Sequence, residues 1–243
     1  MVKRVSSPVK GLIVSASFLL AAALVGCKSN PTPVKRAASA SATELSAQSD
    51  ARRLSAGANK LMDAMRKPTK SFHLSFQGQE NINDKYLQDR TQAPEVGPVD
   101  LQADVSPDEL NLTETRGQTM KVTKAKKGEE MNWAMAQLIL AGEMTSPNFT
   151  IAIGSTVASS PSNDMVGTTL ADKYTFDTTT ASGPQKMALD VTRALLMSIK
   201  ECKGTAWIAK DSGELVKFNL DADFLDKNAH SWKEHYEGEV TPK

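Results

Sequence analysis

The chain has 243 residues, a hydrophobic fraction of 40%, an aromatic fraction of only 5% and a formal net charge of +1. This near-neutral balance argues against a nucleic-acid partner, because basic patches dominate the affinity of proteins for phosphate backbones. The length suits one domain with a substantial core. Since aromatic residues are scarce, we expect aliphatic and methionine side chains to fill that core.

The first 26 residues have the pattern of a secretory signal peptide. Lys3, Arg4 and Lys10 precede a run of apolar and small residues at 11–25. This run is shorter than the roughly 20 residues that a membrane-spanning helix needs. We therefore predict that residues 1–26 form a signal peptide and not a retained transmembrane helix.

The signal peptide ends at a sequence that resembles the lipobox of bacterial lipoproteins, Leu-Val-Gly-Cys at 24–27. The resemblance implies cleavage before Cys27, a diacylglycerol on its thiol and an acyl chain such as palmitate on the new amino terminus. Several acyl chains on one residue give stable anchoring. An ordinary signal peptide with an incidental cysteine is the alternative. We expect a lipid anchor in the bacterial cell envelope, at the outer membrane facing the periplasm or at the outer face of the cell membrane.

A tether and an amphipathic helix follow the predicted anchor. Residues 27–44 are rich in Ser, Ala, Thr and Pro, which is typical of a flexible linker. We place a single domain at 45–243. Its first helix carries an apolar face and ends before Pro68. That face consists of Leu54, Ala58, Leu61, Met62 and Met65.

Beyond Pro68 the hydrophobic period changes from that of a helix to that of a strand. Phe72, Leu74 and Phe76 alternate with polar residues, which predicts a strand with one wet face. Similar alternation predicts an antiparallel meander through 99–123. Further strands are predicted at 149–157, at 173–177, on both sides of a turn at 210–213, and at 231–240.

Two more helices are predicted between these strands. Residues 129–144 are apolar nearly all round, so we expect that helix to be buried on most sides. The second begins at Pro184 and continues as an amphipathic pattern to Lys200. Cys202 follows that apolar pattern, and we expect it to be buried.

No residue pattern in the chain indicates catalysis or metal binding. The three histidines, His73, His230 and His235, belong to no zinc-binding or nucleophile motif. The acids near 221–226 alternate with apolar residues and lack the glycine turn of a calcium loop. We therefore expect no enzyme activity, no metal and no cofactor.

These elements predict an α+β fold in which a single curved antiparallel sheet, a half-open barrel, is covered on its concave face by about three helices. Helices lying on a strongly curved sheet can leave an apolar cavity between the two layers. The methionines of the helices suit such a cavity, because methionine adapts to irregular apolar shapes. A plain filled core is the alternative.

The order of the elements and the hairpin at 204–217, GTAWIAKDSGELVK, resemble the lipoprotein-carrier superfamily. This superfamily includes the LolA and LolB lipoprotein-localisation proteins and the LppX and LprG lipid-binding lipoproteins. The resemblance implies a half-open barrel that takes up acyl chains of lipids or of lipidated proteins. A non-enzymatic structural or partner-binding envelope lipoprotein with a filled core is the alternative.

Eleven residues are candidates for the lining of a lipid cavity, and each is equally consistent with a packed core. They are Leu61, Met65, Phe72, Leu74, Phe76, Leu138, Val191, Leu195, Trp207, Phe218 and Leu220.

Overall fold

The computed structural model describes residues 42–81, 98–196, 199–225 and 229–243. Residues 40–243 belong to one compact unit. Within the described ranges, no helix has both the length and the apolar character needed to cross a membrane. The predicted signal peptide and Cys27 lie outside the described residues.

Nine strands form one sheet in which every neighbouring pair is antiparallel. The sheet is open, with β4 at one edge and β5 at the other, in the order β4-β3-β2-β1-β9-β8-β7-β6-β5. The strands are β1 (Phe72–Asn81), β2 (Val99–Val105), β3 (Glu109–Arg116), β4 (Thr119–Lys126), β5 (Ser162–Val166), β6 (Thr169–Asp177), β7 (Ile199–Ala209), β8 (Leu215–Leu225) and β9 (Ser231–Pro242).

Four helices accompany the sheet among the described residues. They are α1 (Ala42–Arg66), α2 (Glu130–Glu143), α3 (Thr145–Gly154) and α4 (Gly183–Leu196). Only Met144 separates α2 from α3. The predicted α+β class, with a single open antiparallel sheet and about three helices, is thus confirmed.

The helices and one face of the sheet share a single hydrophobic core. Leu54 and Leu61 of α1 belong to the same buried cluster as Leu74 of β1 and Leu220 of β8. Alternate residues of β1 and β2 are buried, and the residues between them are more exposed. We call the buried side of the sheet the inner face and the other side the outer face.

The predicted strand at 149–157 is wrong, because α3 and a following 3-10 turn, Ser155–Val157, occupy this stretch. The β-branched residues suggested a strand, yet the buried positions Pro147, Thr150, Ile151 and Gly154 follow the three-and-four spacing of a helix. Gly154 also fixes the packing, since a Cβ added there would lie 2.2 Å from a ring carbon of Phe176.

The predicted helix from Pro184 to Lys200 is too long at its carboxyl end. α4 ends at Leu196, and β7 already begins at Ile199. Cys202 therefore lies in a strand, where it is buried as expected. Its Sγ is 3.6 Å from the backbone oxygen of Thr150, so the thiol contributes to the contact between α3 and the sheet.

A buried aspartate attaches α1 to the β6 side of the sheet. Asp172 is only 5% exposed, and its carboxylate lies 2.6 Å from Arg53 Nη1 and 3.1 Å from Lys210 Nζ. Both cations are partly exposed, so they can be rehydrated if the carboxylate is lost.

We expect Asp172→Ala to lower the free energy of unfolding by about 2 kcal/mol, less than the loss of one member of a fully buried pair. Asp223→Ala is the matched control, because its partner Lys233 is exposed and surface pairs contribute about 0–1 kcal/mol. Urea titration followed by circular dichroism measures both values. Equal effects of the two substitutions would contradict the structural role of Asp172.

Candidate functional site

The inner face gathers most of the side chains predicted to line a lipid site. Seven of the candidates belong to one buried cluster: Leu61, Met65, Phe72, Leu74, Phe76, Phe218 and Leu220. Helix α1 supplies two of these residues, and strands β1 and β8 supply the other five. These seven residues therefore lie where α1 packs against the inner face of the sheet.

The centre of the inner face is filled in this conformation. Phe76 lies with its ring centroid 6.3 Å from that of Phe218 and 6.2 Å from that of Tyr236. Gly238 lies beneath the ring of Phe218, and a Cβ at that position would be 2.2 Å from Phe218 Cζ. The helices that lie over the inner face must therefore move before an acyl chain can reach these rings.

Three of the other four candidates, Leu138, Val191 and Trp207, do not belong to the buried cluster. Leu138 and Val191 are exposed on the outer sides of α2 and α4, since the buried residues are Ala136 and Leu140 in α2 and Leu189 in the part of α4 whose side chains are described. Their prediction as lining residues is wrong for this conformation. The side chain of Leu195 lies outside the described residues.

Trp207 is also misplaced, because it lies on the outer face of the sheet. Its indole Nε1 donates a hydrogen bond of 2.9 Å to Asp164 Oδ2. The ammonium groups of Lys173 and Lys217 lie 5.3 and 5.8 Å from the ring centroid, within range of cation–π attraction. Its neighbours Ala206 and Ile208 are fully buried in the core, so the alternation of β7 places the indole on the opposite face.

Carboxylates gather at one end of the inner face, where β1 and β3 end and β9 begins. We call Glu80, Glu114, Glu143 and Glu234 the carboxylate cluster. Glu80 and Glu234 are direct cross-strand partners. The guanidinium of Arg116 binds the carboxylates of Glu114, at 2.5 Å, and of Glu143. This ion pair joins the last turn of α2 to the sheet.

The pKa values of Glu80, Glu143 and Glu234 are raised, so these three carboxyl groups are harder to ionise than usual. Burial raises the pKa of Glu234 to about 7, helped by the charges of Glu80 and Glu143 and opposed by a hydrogen bond of 2.5 Å from Trp232 Nε1. Burial also raises the pKa of Glu80 and of Glu143, against the lowering effect of Arg116. Clusters of perturbed acids of this kind are enriched at functional sites.

Sequence reasoning missed the carboxylate cluster because its members are far apart in the chain. Only the register of β1 against β9 brings Glu80 opposite Glu234. The one available signal was polarity at Glu80 and Glu234, which occupy positions where alternation predicts an inward side chain.

The outer face carries two open depressions of about 550 and 250 Å³. The larger is lined by polar and charged side chains that include Lys203, Asp221 and His235. His235 donates to Asp221 Oδ1 at 2.8 Å. Partial burial alone would lower the pKa of His235, but hydrogen bonds to Asp221 and Glu237 outweigh it and raise that pKa. Among the described residues, no group of His, Cys, Asp and Glu is arranged to hold a metal ion.

Comparisons with known proteins identify no relative, since neither a protein-family model nor a curated protein matches this chain. The class that the fold defines is an α+β protein with an open antiparallel sheet under a helical layer. Membership of the lipoprotein-carrier superfamily stays a prediction.

Proposed function

We propose that this protein is an envelope lipoprotein, anchored through Cys27, whose domain binds acyl chains between the helices and the inner face of the sheet. The observation that carries the proposal is the open sheet with one continuous apolar face that is covered by helices. Burying each methylene of a ligand there contributes about 0.8 kcal/mol, so binding needs no catalytic group. The carboxylate cluster supplies polar groups that a lipid head group would meet at one end of this face.

The helix α4 is the element best suited to move aside. In its described part, Leu189 is buried, while Met187 and Val191 are 72% and 59% exposed. A segment that is attached by few buried side chains, as residues 183–191 of α4 are, opens at low cost in free energy. We infer that acyl chains enter beneath α4.

Uptake of a fluorescent fatty acid by residues 28–243, the chain without its predicted anchor Cys27, tests this function. We expect Leu189→Ala to accelerate uptake by about tenfold or more, because loss of a buried leucine side chain costs about 2–5 kcal/mol in the closed state. Met187→Ala is the control on the same helix, and we expect it to leave the rate unchanged. Equal rates for both variants would contradict entry beneath α4.

A second candidate function is supported by the packing itself. The seven inward candidates are buried among one another, and both of the depressions described above open on the polar outer face. This arrangement suits a partner-binding envelope lipoprotein with a filled core. A folded domain that takes up no fatty acid, in the wild type or in Leu189→Ala, would favour this second function.

A further inference from the structure

Strand β4 leaves one of its two hydrogen-bonding edges open. It is the last strand on its side of the sheet, and among the described residues it pairs only with β3. The side chains of Met120 and Val122 are exposed, so no described element covers this part of the strand. A strand in this position presents a row of backbone N–H and C=O groups that can pair with another chain. We call this row the free edge.

The register of the hairpin between β3 and β4 identifies the residues of the free edge. Arg116 and Thr119 are partners on either side of a two-residue turn, so their backbone groups bond each other. Every second residue from Met120 therefore points its backbone groups away from β3: Met120, Val122, Lys124 and Lys126. At Lys126 the N–H donates to Glu129 Oε2 at 3.2 Å, and the C=O accepts from the Glu129 N–H at 2.9 Å. The free edge thus already binds one carboxylate of the chain itself.

Lysines flank the free edge on both faces of β4, and the strand carries no acid. Lys124 points to the outer face, opposite the neutral Asn111. Lys121 points to the inner face, opposite Glu114, but Arg116 already binds that carboxylate. Among the described residues, neither lysine forms an ion pair. Two copies of β4 would therefore repel each other, whereas an acidic strand would be attracted.

Helix α2 supplies apolar side chains on the inner side of this edge. The expectation that α2 is buried on most sides is wrong, because Met131, Met135 and Leu138 are 83%, 52% and 55% exposed. The helix packs against β4 and β3, and its buried residues Ala136 and Leu140 belong to the core of the inner face. It therefore lies over the edge of the sheet that β4 forms.

One flank of α2 faces the free edge. Gln137 donates hydrogen bonds to the backbone oxygens of Met65, at 3.4 Å, and of Arg66, so it marks the side of α2 that meets α1. Helix α1 contacts the central strands β7 and β8. Met135 and Ile139 lie two residues before and after Gln137, about 200° around the helix, and so on the side away from α1. That side is the one above the free edge.

We propose that an extended, acidic segment of a partner protein adds to β4 as a tenth strand of the sheet. Its backbone pairs with that of Met120, Val122 and Lys124. Its acidic side chains meet Lys124 on the outer face, and its apolar side chains contact Met135 and Ile139 on the inner side. The free backbone groups select a polypeptide, and the lysines select its charge. The site lies apart from the buried centre of the inner face, so this inference does not depend on acyl-chain uptake.

Two synthetic peptides test the inference with residues 28–243, which include the whole compact unit. Both peptides match β4 in length, are capped at both ends and carry valine at alternate positions. The remaining positions are glutamate in one peptide and lysine in the other. Fluorescence anisotropy of a dye on the peptide measures its affinity, and amide hydrogen exchange followed by nuclear magnetic resonance locates the contact.

We expect the glutamate peptide to bind about tenfold more tightly than the lysine peptide at low salt, and its affinity to fall as salt is added. The amide protons of Met120, Val122 and Lys124 should become protected from exchange in the complex. The amide protons of Lys121 and Thr123 already pair with β3, so the peptide should change their exchange little.

Val122→Pro is expected to weaken binding of the glutamate peptide by about tenfold or more, because proline removes a donor of the free edge and its ring occupies that edge. The fold tolerates this change, since the lost N–H points away from β3. Met165→Pro is the matched control on β5, at the opposite edge of the sheet, where the N–H donates to Asp164 Oδ1 and to no strand. It should leave the affinity unchanged.

Lys124→Glu tests the charge of the edge without a change in the backbone. It should weaken the glutamate peptide and strengthen the lysine peptide, each by about fivefold. This reversal also decides the matter if Val122→Pro fails to fold.

Three results would overturn the proposal. Equal affinities of the two peptides would show that the lysines do not select the charge of the partner. Unchanged exchange of the Met120, Val122 and Lys124 amides in the complex would place the peptide elsewhere on the molecule. Protection of those amides in the protein alone, together with the mass of a dimer, would show that a second copy of the chain covers the free edge.

Discussion

Replacement of Phe218 by alanine is expected to lower the free energy of unfolding by about 3–5 kcal/mol, the usual cost of removing a buried aromatic ring. Phe218 is 1% exposed and contacts Phe76 across the inner face. The backbone at Gly238 already fits closely beneath the ring, so rigid neighbours border the space left by the substitution. Chemical denaturation of the two proteins at one pH gives the difference.

The neighbouring residue on the same strand supplies the control for Phe218. Lys217 lies on the outer face, half exposed, with its ammonium 2.8 Å from Glu239 Oε2. Lys217→Ala should change the free energy of unfolding by less than about 1 kcal/mol, because exposed ion pairs contribute little. If Phe218→Ala were equally mild, the assignment of this side chain to the core would be wrong.

The second large effect is expected in the pH dependence of stability. The pKa of Glu234 is about 7 in the folded protein, against an ordinary value of 4.5. The folded state therefore holds this proton more tightly than the unfolded state. Stability is greatest below the ordinary pKa and falls as the pH rises from about 4.5 to 7, by about 3 kcal/mol in all.

Glu234→Gln is expected to remove most of that decline and to make the protein more stable than the wild type at pH 8. Glutamine keeps an oxygen that can accept the hydrogen bond from Trp232. Glu239→Gln is the control on the same strand, since the Glu239 side chain is half exposed on the outer face and its partner Lys217 does not titrate between pH 5 and 8. Denaturation at pH 5 and at pH 8 gives the slopes. Parallel slopes for the wild type and Glu234→Gln would contradict the burial of this carboxyl group.

Alternation within single strands was sufficient to predict the class of the fold. The alternation of Phe72, Leu74 and Phe76 with polar residues predicted one buried face of β1. The same alternation in β8 predicted that Phe218 and Leu220 are buried. These predictions are correct because successive side chains point to opposite faces of a strand. Once one face of the sheet is buried, the alternation therefore fixes which residues point inward. The prediction failed at Trp207, because its neighbours Ala206 and Ile208, and not the indole, occupy the inner-face positions of β7.

The buried faces of the helices were harder to predict, because each of these helices carries apolar residues on several sides. The apolar pattern of α2 gave no reason to choose between Leu138 and Leu140, and only the structure shows that Leu140 is the buried one. The residues of α3 favour strands locally, and contacts with α1 and the sheet override that preference. The carboxylate cluster depends on strand register between distant segments, which no local pattern reveals.

Native mass spectrometry of residues 28–243, the chain without its predicted anchor Cys27, tests the central claim most directly when this protein is expressed in a bacterial envelope and purified gently. The account predicts a stoichiometric lipid that co-purifies with the protein and that a competing fatty acid displaces. Lipid extraction then identifies the class of the ligand. A folded protein of bare mass that also fails to take up an added fatty acid would contradict acyl-chain binding at the inner face.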